Sequence, residues 1–217
     1  NREQLIEKYR SQGLPVDPIE EVDFVWHGEP YAELTGHPHY YQWIIGSHLV
    51  EHTPDLIGFL KNCADLLRDD GVLSLAIPDA RFCFDHFRPL TSLGSVIDAH
   101  LSGRVMQTPG MVCDSKLNAV NRGGRIAWSA GATGEYAFVH SMEEARQLLA
   151  KSRAQTEYID THAWCFTPSS FRLIIQDLHE LGLSPFQECA FFPTEGCEFY
   201  VTLGLQGTRP KLDRLDL

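Results

Sequence analysis

No apolar run in the chain approaches the roughly 20 residues that a membrane-spanning helix needs. No signal peptide is visible ahead of the charged opening NREQLIEKYR. No CxxC pair joins Cys63, Cys83, Cys113, Cys165, Cys189 and Cys197. That irregular spacing gives a finger-type zinc site little support. It reads instead as free thiols, mostly small buried hydrophobes, in a reducing, cytoplasmic setting. Positive charge is scarce: 18 Lys and Arg face 29 Asp and Glu, for a net charge of −11. A basic patch is missing too, since Lys211 and Arg214 in the tail are answered by Asp213 and Asp216. Such a chain repels nucleic-acid phosphates and anionic membrane, so neither is an expected partner. Internal repeats and low-complexity tracts are also missing. What remains is 217 residues of 43% hydrophobic content, enough for one domain with one core. The first residue is Asn rather than Met, as in a fragment or a cleavage product.

Periodicity predicts alternating strands and helices. Residues 2–10 read as a short polar helix. EEVDFVW (20–26) reads as a strand ending in a turn at His27-Gly28, and YYQWIIGSH (40–48) as a second strand. The unbroken apolar end of the second suits a strand covered on both faces. Residues 53–71 read as a helix with Thr53 as N-cap, Pro54 at the first helical position and Gly71 as the stop. GVLSLAIPD (71–79) is a third strand. Residues 84–102 read as helical, and 103–135 as a long irregular stretch. Ser141 with Glu144 predicts a capping box for a helix over 141–155. A further helix covers 167–182, and two late strands pair antiparallel at the sheet edge. The expectation is an α/β fold with a mostly parallel sheet and a mobile insert or lid at about 103–160.

One block carries more than periodicity. IIGSHLVEHTPDLIGFLKNCADLLRDDGVLSLAIPDARFCFDHFR resembles the middle of class I S-adenosylmethionine-dependent methyltransferases. The resemblance rests on Ser47, His48, Glu51 and His52 in an S-H-x-x-E-H loop, then Leu67, Gly71, Leu73, Leu75 and Pro78. PDARFCFDHFR (78–88) is similar to a branch found near bacterial polysaccharide-synthesis genes. The late strand pair is similar to the family's closing strands. The resemblance implies a Rossmann-like sheet and S-adenosylmethionine as cofactor, with a small-molecule or carbohydrate acceptor. It also implies that Trp26, His27 and Gly28 flank the adenine, and that Ser47, His48 and Leu49 border the cofactor. The family's Gly-rich turn after its first strand lets backbone approach the ligand closely. This chain has no such turn, so the sheet reads as truncated or degenerate at its front.

The side chains themselves leave alternatives open. His48 is a candidate general base, with Glu51 and His52 orienting the acceptor. Two His and a carboxylate are also reasonable divalent-metal ligands, with His140 or His162 completing the set, although the leading expectation is a site without metal; the plainer reading has Glu51 capping the following helix and His52 bonding a backbone carbonyl. Asp79, Arg81, Arg88 and His162 are candidate substrate contacts, Arg gripping a carboxylate or phosphate. The plainer reading pairs Asp85 with Arg88 as a loop brace. At the level of function, methyl transfer to a hydroxyl competes with a non-catalytic binding module that has lost its cofactor pocket. A metal-dependent hydrolase is a third reading.

Overall fold

The computed structural model describes residues 1–11, 13–154, 158–207 and 213–217. Lys211, and the end of the helix expected over 141–155, lie outside the described residues. Helix α1 (Arg2–Ser11) buries none of its residues. Helix α2 (Tyr31–Thr35) closes on Gly36 in the left-handed region. Strand β1 (Tyr41–Ser47) leads through a single 3₁₀ turn, Val50–His52, into helix α3 (Leu56–Leu66) and strand β2 (Leu67–Pro78). Helices α4 (Leu93–Leu101) and α5 (Pro109–Asn118) follow. A small hairpin, β3 (Val120–Arg122) with β4 (Tyr136–Phe138), precedes α6 (Met142–Ser152). Helix α7 (Pro168–Glu180) and strands β5 (Gln187–Glu195) and β6 (Glu198–Gly204) complete the order.

The main sheet has the order β1-β2-β6-β5. Only β1 and β2 run parallel; β6 is antiparallel to both β2 and β5. The fold is mixed α/β, and the mostly parallel sheet expected from alternation is corrected to one parallel pair and two antiparallel pairs. The two late strands pair antiparallel at the sheet edge as expected, β6 beside β2 and β5 outermost.

One face of the sheet carries the core. Leu73, Leu75 and Ile77 of β2 and Phe199, Val201 and Leu203 of β6 are at most 2% exposed. They belong to one buried cluster with α3, Val96 of α4 and Phe171, Ile174 and Leu178 of α7. Burying each such side chain stabilises by about 1.5–3 kcal/mol. Register places Trp43, Ile45, Ser74, Thr202 and Phe192 on the opposite face. There Trp43, Ile45 and Phe192 are 64%, 77% and 62% exposed. The expectation that β1 is covered on both faces is therefore also corrected.

Local chemistry explains the remaining differences. EEVDFVW does not form a strand: a strand needs a ladder partner, and β propensity does not supply one. The α3 N-cap is Asp55, two residues later than expected, accepting from Gly58 N at 2.9 Å. A Cβ at Gly58 would sit 2.5 Å from Asp55 Oδ2, so the cap and the glycine come together. The cap also receives His100 Nδ1 of α4 at 2.8 Å, tying the two helices. Helix over 84–102 is confined to α4, and the irregular 103–135 stretch holds α5 and β3. The Ser141–Glu144 capping box forms with both bonds. Thr167 and Ser170 form the same reciprocal pair at α7. Thr167→Ala is expected to lower stability by about 1 kcal/mol in urea titration, with the slope unchanged.

Candidate functional site

The carboxyl ends of β1 and β2 lie side by side, Ser47 opposite Ala76, and Glu198 opens β6 against Pro78 at the same end. The segment 161–167 is drawn to this rim by backbone bonds. Ala163 N and Trp164 N both donate to Glu51 O, at 2.7 and 3.2 Å, and Ala80 N donates to Phe166 O at 2.8 Å. Residues 86 to 113 positions apart are thus brought to one place by main-chain hydrogen bonding.

His48 is the first residue past β1 and has φ +48°, a left-handed conformation uncommon outside glycine. His48 N donates to Ala76 O at 3.0 Å, which holds the strained residue against β2. Such strain clusters at functional sites. Its Nε2 lies 2.6 Å from Glu198 Oε2, so Nε2 carries the proton and Nδ1 presents its lone pair. Glu198 is itself held by Tyr200, whose hydroxyl donates to Oε1 at 2.7 Å. The Tyr200 bond, then that of His48, keeps the Glu198 carboxyl below the usual range.

Glu51 lies at the centre. Its side chain is 1% exposed, and neither carboxylate oxygen has a hydrogen-bond partner. Burial pushes this carboxyl above its usual range, against the pull of its own backbone N–H and of His162 and His48. Three imidazoles face Glu51 Oε1: His48 Nδ1 at 3.7 Å, His52 Nε2 at 3.8 Å and His162 Nε2 at 3.9 Å. The rings of His52 and His162 meet edge to face at 4.6 Å between centroids. Burial, with His162 alongside, holds His52 below its ordinary range, while Asp160 pulls the other way. His52 Nδ1 lies 2.9 Å from Asp160 Oδ1, near but off the line of a good hydrogen bond.

His162 Nδ1 is bound to Asp85 Oδ2. Asp85 accepts in turn from Arg88 Nη1 at 2.9 Å, and Arg88 Nε donates to Asp114 at 3.2 Å. Burial draws the Asp85 carboxyl upward, but the bonds from His162 and Arg88 outweigh it and hold it below the carboxylate range.

The candidates of the sequence separate into groups. His48, Glu51, His52 and His162 converge. Ser47 and Leu49 border them, Leu49 being 45% exposed. Asp79 is fully buried and braced by Arg81 Nε at 2.9 Å and Thr194 Oγ1 at 2.6 Å; Arg81 stays half-exposed. Arg88 is buried on Asp85 and Asp114, the brace of the plainer reading, with one edge lining a groove beside Arg104, Met111 and Trp164. His140 sits beside Glu144 at the start of α6. It lies outside the metal-competent group of Glu51, His52 and His162 found among the described residues. The Trp26–Gly28 loop packs elsewhere: Trp26 Nε1 donates to Glu29 O and its ring meets Tyr31, which packs on Phe59 of α3. Sequence reasoning missed Glu198 and Asp160 as ring partners. The Glu198–Tyr200 alternation, which sets both on one sheet face, was the available signal for the first.

Comparison with protein-family models, with curated proteins and with solved structures returns no match.

Proposed function

We propose that the protein transfers a methyl group from S-adenosylmethionine to a hydroxyl of a small-molecule or carbohydrate acceptor at the rim formed by β1 and β2. The observation that carries this reading is the His48–Glu198 pair at the carboxyl end of the parallel strands. In open α/β sheets that end is where ligands bind. The β1-α3-β2 unit, which carries the S-H-x-x-E-H resemblance, and the closing antiparallel strands support the finer reading of a methyltransferase-type Rossmann-like sheet.

The chemistry required is modest. Methyl transfer from a sulfonium needs the acceptor oxygen held in line with the methyl group, and most of the rate comes from that positioning. His48 takes the hydroxyl proton on Nδ1 while Glu198 stabilises the imidazolium through Nε2. Ser47 and Leu49 would border the cofactor. Arg81, half-exposed on Asp79, would meet a polar acceptor.

Calorimetric titration with S-adenosylhomocysteine tests the reading. Stoichiometric binding to this chain, or to a version extended upstream, is the expected result. With an acceptor in hand, His48→Ala should lower kcat by about 100-fold or more while leaving S-adenosylhomocysteine affinity within a factor of a few. Silence from both proteins would overturn the reading and favour the binding module.

A further inference from the structure

We propose that Glu51, His52 and His162 form a binding site for one first-row divalent transition-metal ion of the zinc class, beside His48. The inference stands on side-chain geometry and does not rest on methyl transfer.

The polar groups at this point do not satisfy one another. Glu51 is buried with both carboxylate oxygens unpartnered. Buried polar atoms almost always have a partner, and an isolated buried carboxylate is costly. The nitrogens facing it offer no remedy. His48 Nε2 lies 2.6 Å from Glu198, His162 Nδ1 is bound to Asp85 and His52 Nδ1 lies 2.9 Å from Asp160. His48 and His162 thus turn their protonated nitrogens toward a carboxylate and their bare nitrogens toward Glu51, and His52 Nε2 faces the same oxygen. Two lone pairs and a third imidazole nitrogen then meet a carboxylate that accepts no side-chain hydrogen bond. Protonating the rings would not close the gap, because 3.7–3.9 Å is too long for a hydrogen bond.

A cation closes it. Ligands at about 2.1 Å around a tetrahedral ion stand roughly 3.4 Å apart. The ligand atoms of Glu51, His52 and His162 all lie within 4.8 Å of one another, so small side-chain rotations suffice. The surrounding carboxylates match what such sites require, since a ligating His regularly gives its other N–H to a carboxylate that fixes tautomer and orientation. Asp85 does so for His162 and is itself anchored by Arg88; Asp160 stands 2.9 Å from His52 Nδ1, where a small rotation would make the same bond. Imidazole with carboxylate favours zinc and its neighbours over magnesium or calcium, which prefer all-oxygen sites. Two His and one Glu leave positions open, as in catalytic rather than structural zinc sites. His52, 28% exposed at its side chain, marks the entry.

The test titrates Co²⁺ into chelator-treated full chain, follows the visible spectrum, and measures the Zn²⁺-dependent shift in melting temperature. The expected result is one ion per chain, with d–d bands of a nitrogen- and oxygen-ligated ion and no thiolate charge-transfer band. Glu51→Gln and His162→Asn, each checked for fold by circular dichroism, should abolish the bands and the shift. Asp160→Asn should weaken binding 10- to 100-fold, and His140→Ala should bind as the parent does. Lack of bands and shift in the parent chain, a thiolate band from the cysteines, or binding that survives both Glu51→Gln and His162→Asn would each overturn the proposal. Titration of the metal-free chain with S-adenosylhomocysteine reads the methyl-transfer proposal separately.

Discussion

Replacing Asp85 with alanine is expected to lower folding stability by about 3–5 kcal/mol. The loss comes from what remains behind. Arg88 is 4% exposed at its side chain, and without Asp85 its buried guanidinium keeps, among the described residues, only the half-exposed Asp114 as an ion-pair partner. An ion pair in the interior adds little over apolar residues of equal volume, but breaking it leaves an uncompensated charge. The double variant Asp85→Leu with Arg88→Leu should therefore be markedly more stable than Asp85→Ala alone. Urea unfolding of the three proteins decides the matter. A loss below about 1 kcal/mol in Asp85→Ala, or a double variant worse than the single, would show that water or a shifted Asp114 reaches Arg88. The same substitution frees His162 Nδ1, so the His52–His162 pair should loosen even where the fold survives.

The second large effect is expected at Phe171. This α7 residue is fully buried, edge to face with Phe166 at 5.1 Å and tilted against Phe199 at 6.1 Å between centroids. It joins the loop that carries His162, the helix after it and the central strand β6. Phe171→Ala should lower stability by about 3–5 kcal/mol, the transfer and cavity costs of a buried ring in a core that relaxes only in part. Phe192→Ala serves as the contrast, because its ring is 62% exposed on the open face; a change within about 0.5 kcal/mol is expected. The pair separates core packing from aromatic content. Equal losses at the two positions would mean that the open face is covered in solution.

What could be read from the chain follows the range of each interaction. Capping boxes are local, so Ser141 with Glu144 was visible in a four-residue window. The S-H-x-x-E-H loop was legible for the same reason, and so was its place after a strand. The antiparallel pairing of β6 with β2 was not, because nothing near β6 records that Thr202 lies beside Ser74. The segment 20–26 has strand composition without a partner, and composition cannot distinguish the two. At the site, His162 was visible as a candidate, but its arrival depends on main-chain bonds to Glu51 O. Glu198 is marked locally only by its alternation with Tyr200, and Asp160 carries no local mark of its role.

The position of β6 also sets the order in which the molecule can be assembled. Ser74 and Thr202, whose hydroxyls meet at 3.1 Å, are separated by 128 positions. Until β6 has been synthesised and has inserted, β2 has only β1 beside it, and Leu73, Leu75 and Ile77 lack the strand that completes their layer. Closing so long a loop before its contacts are rewarded makes folding slow. During that interval an apolar central strand stands with one ladder edge unpaired, the condition in which partly folded chains associate. Glu198, at the start of β6, reaches His48 only in that late step, so the rim is completed together with the sheet rather than before it.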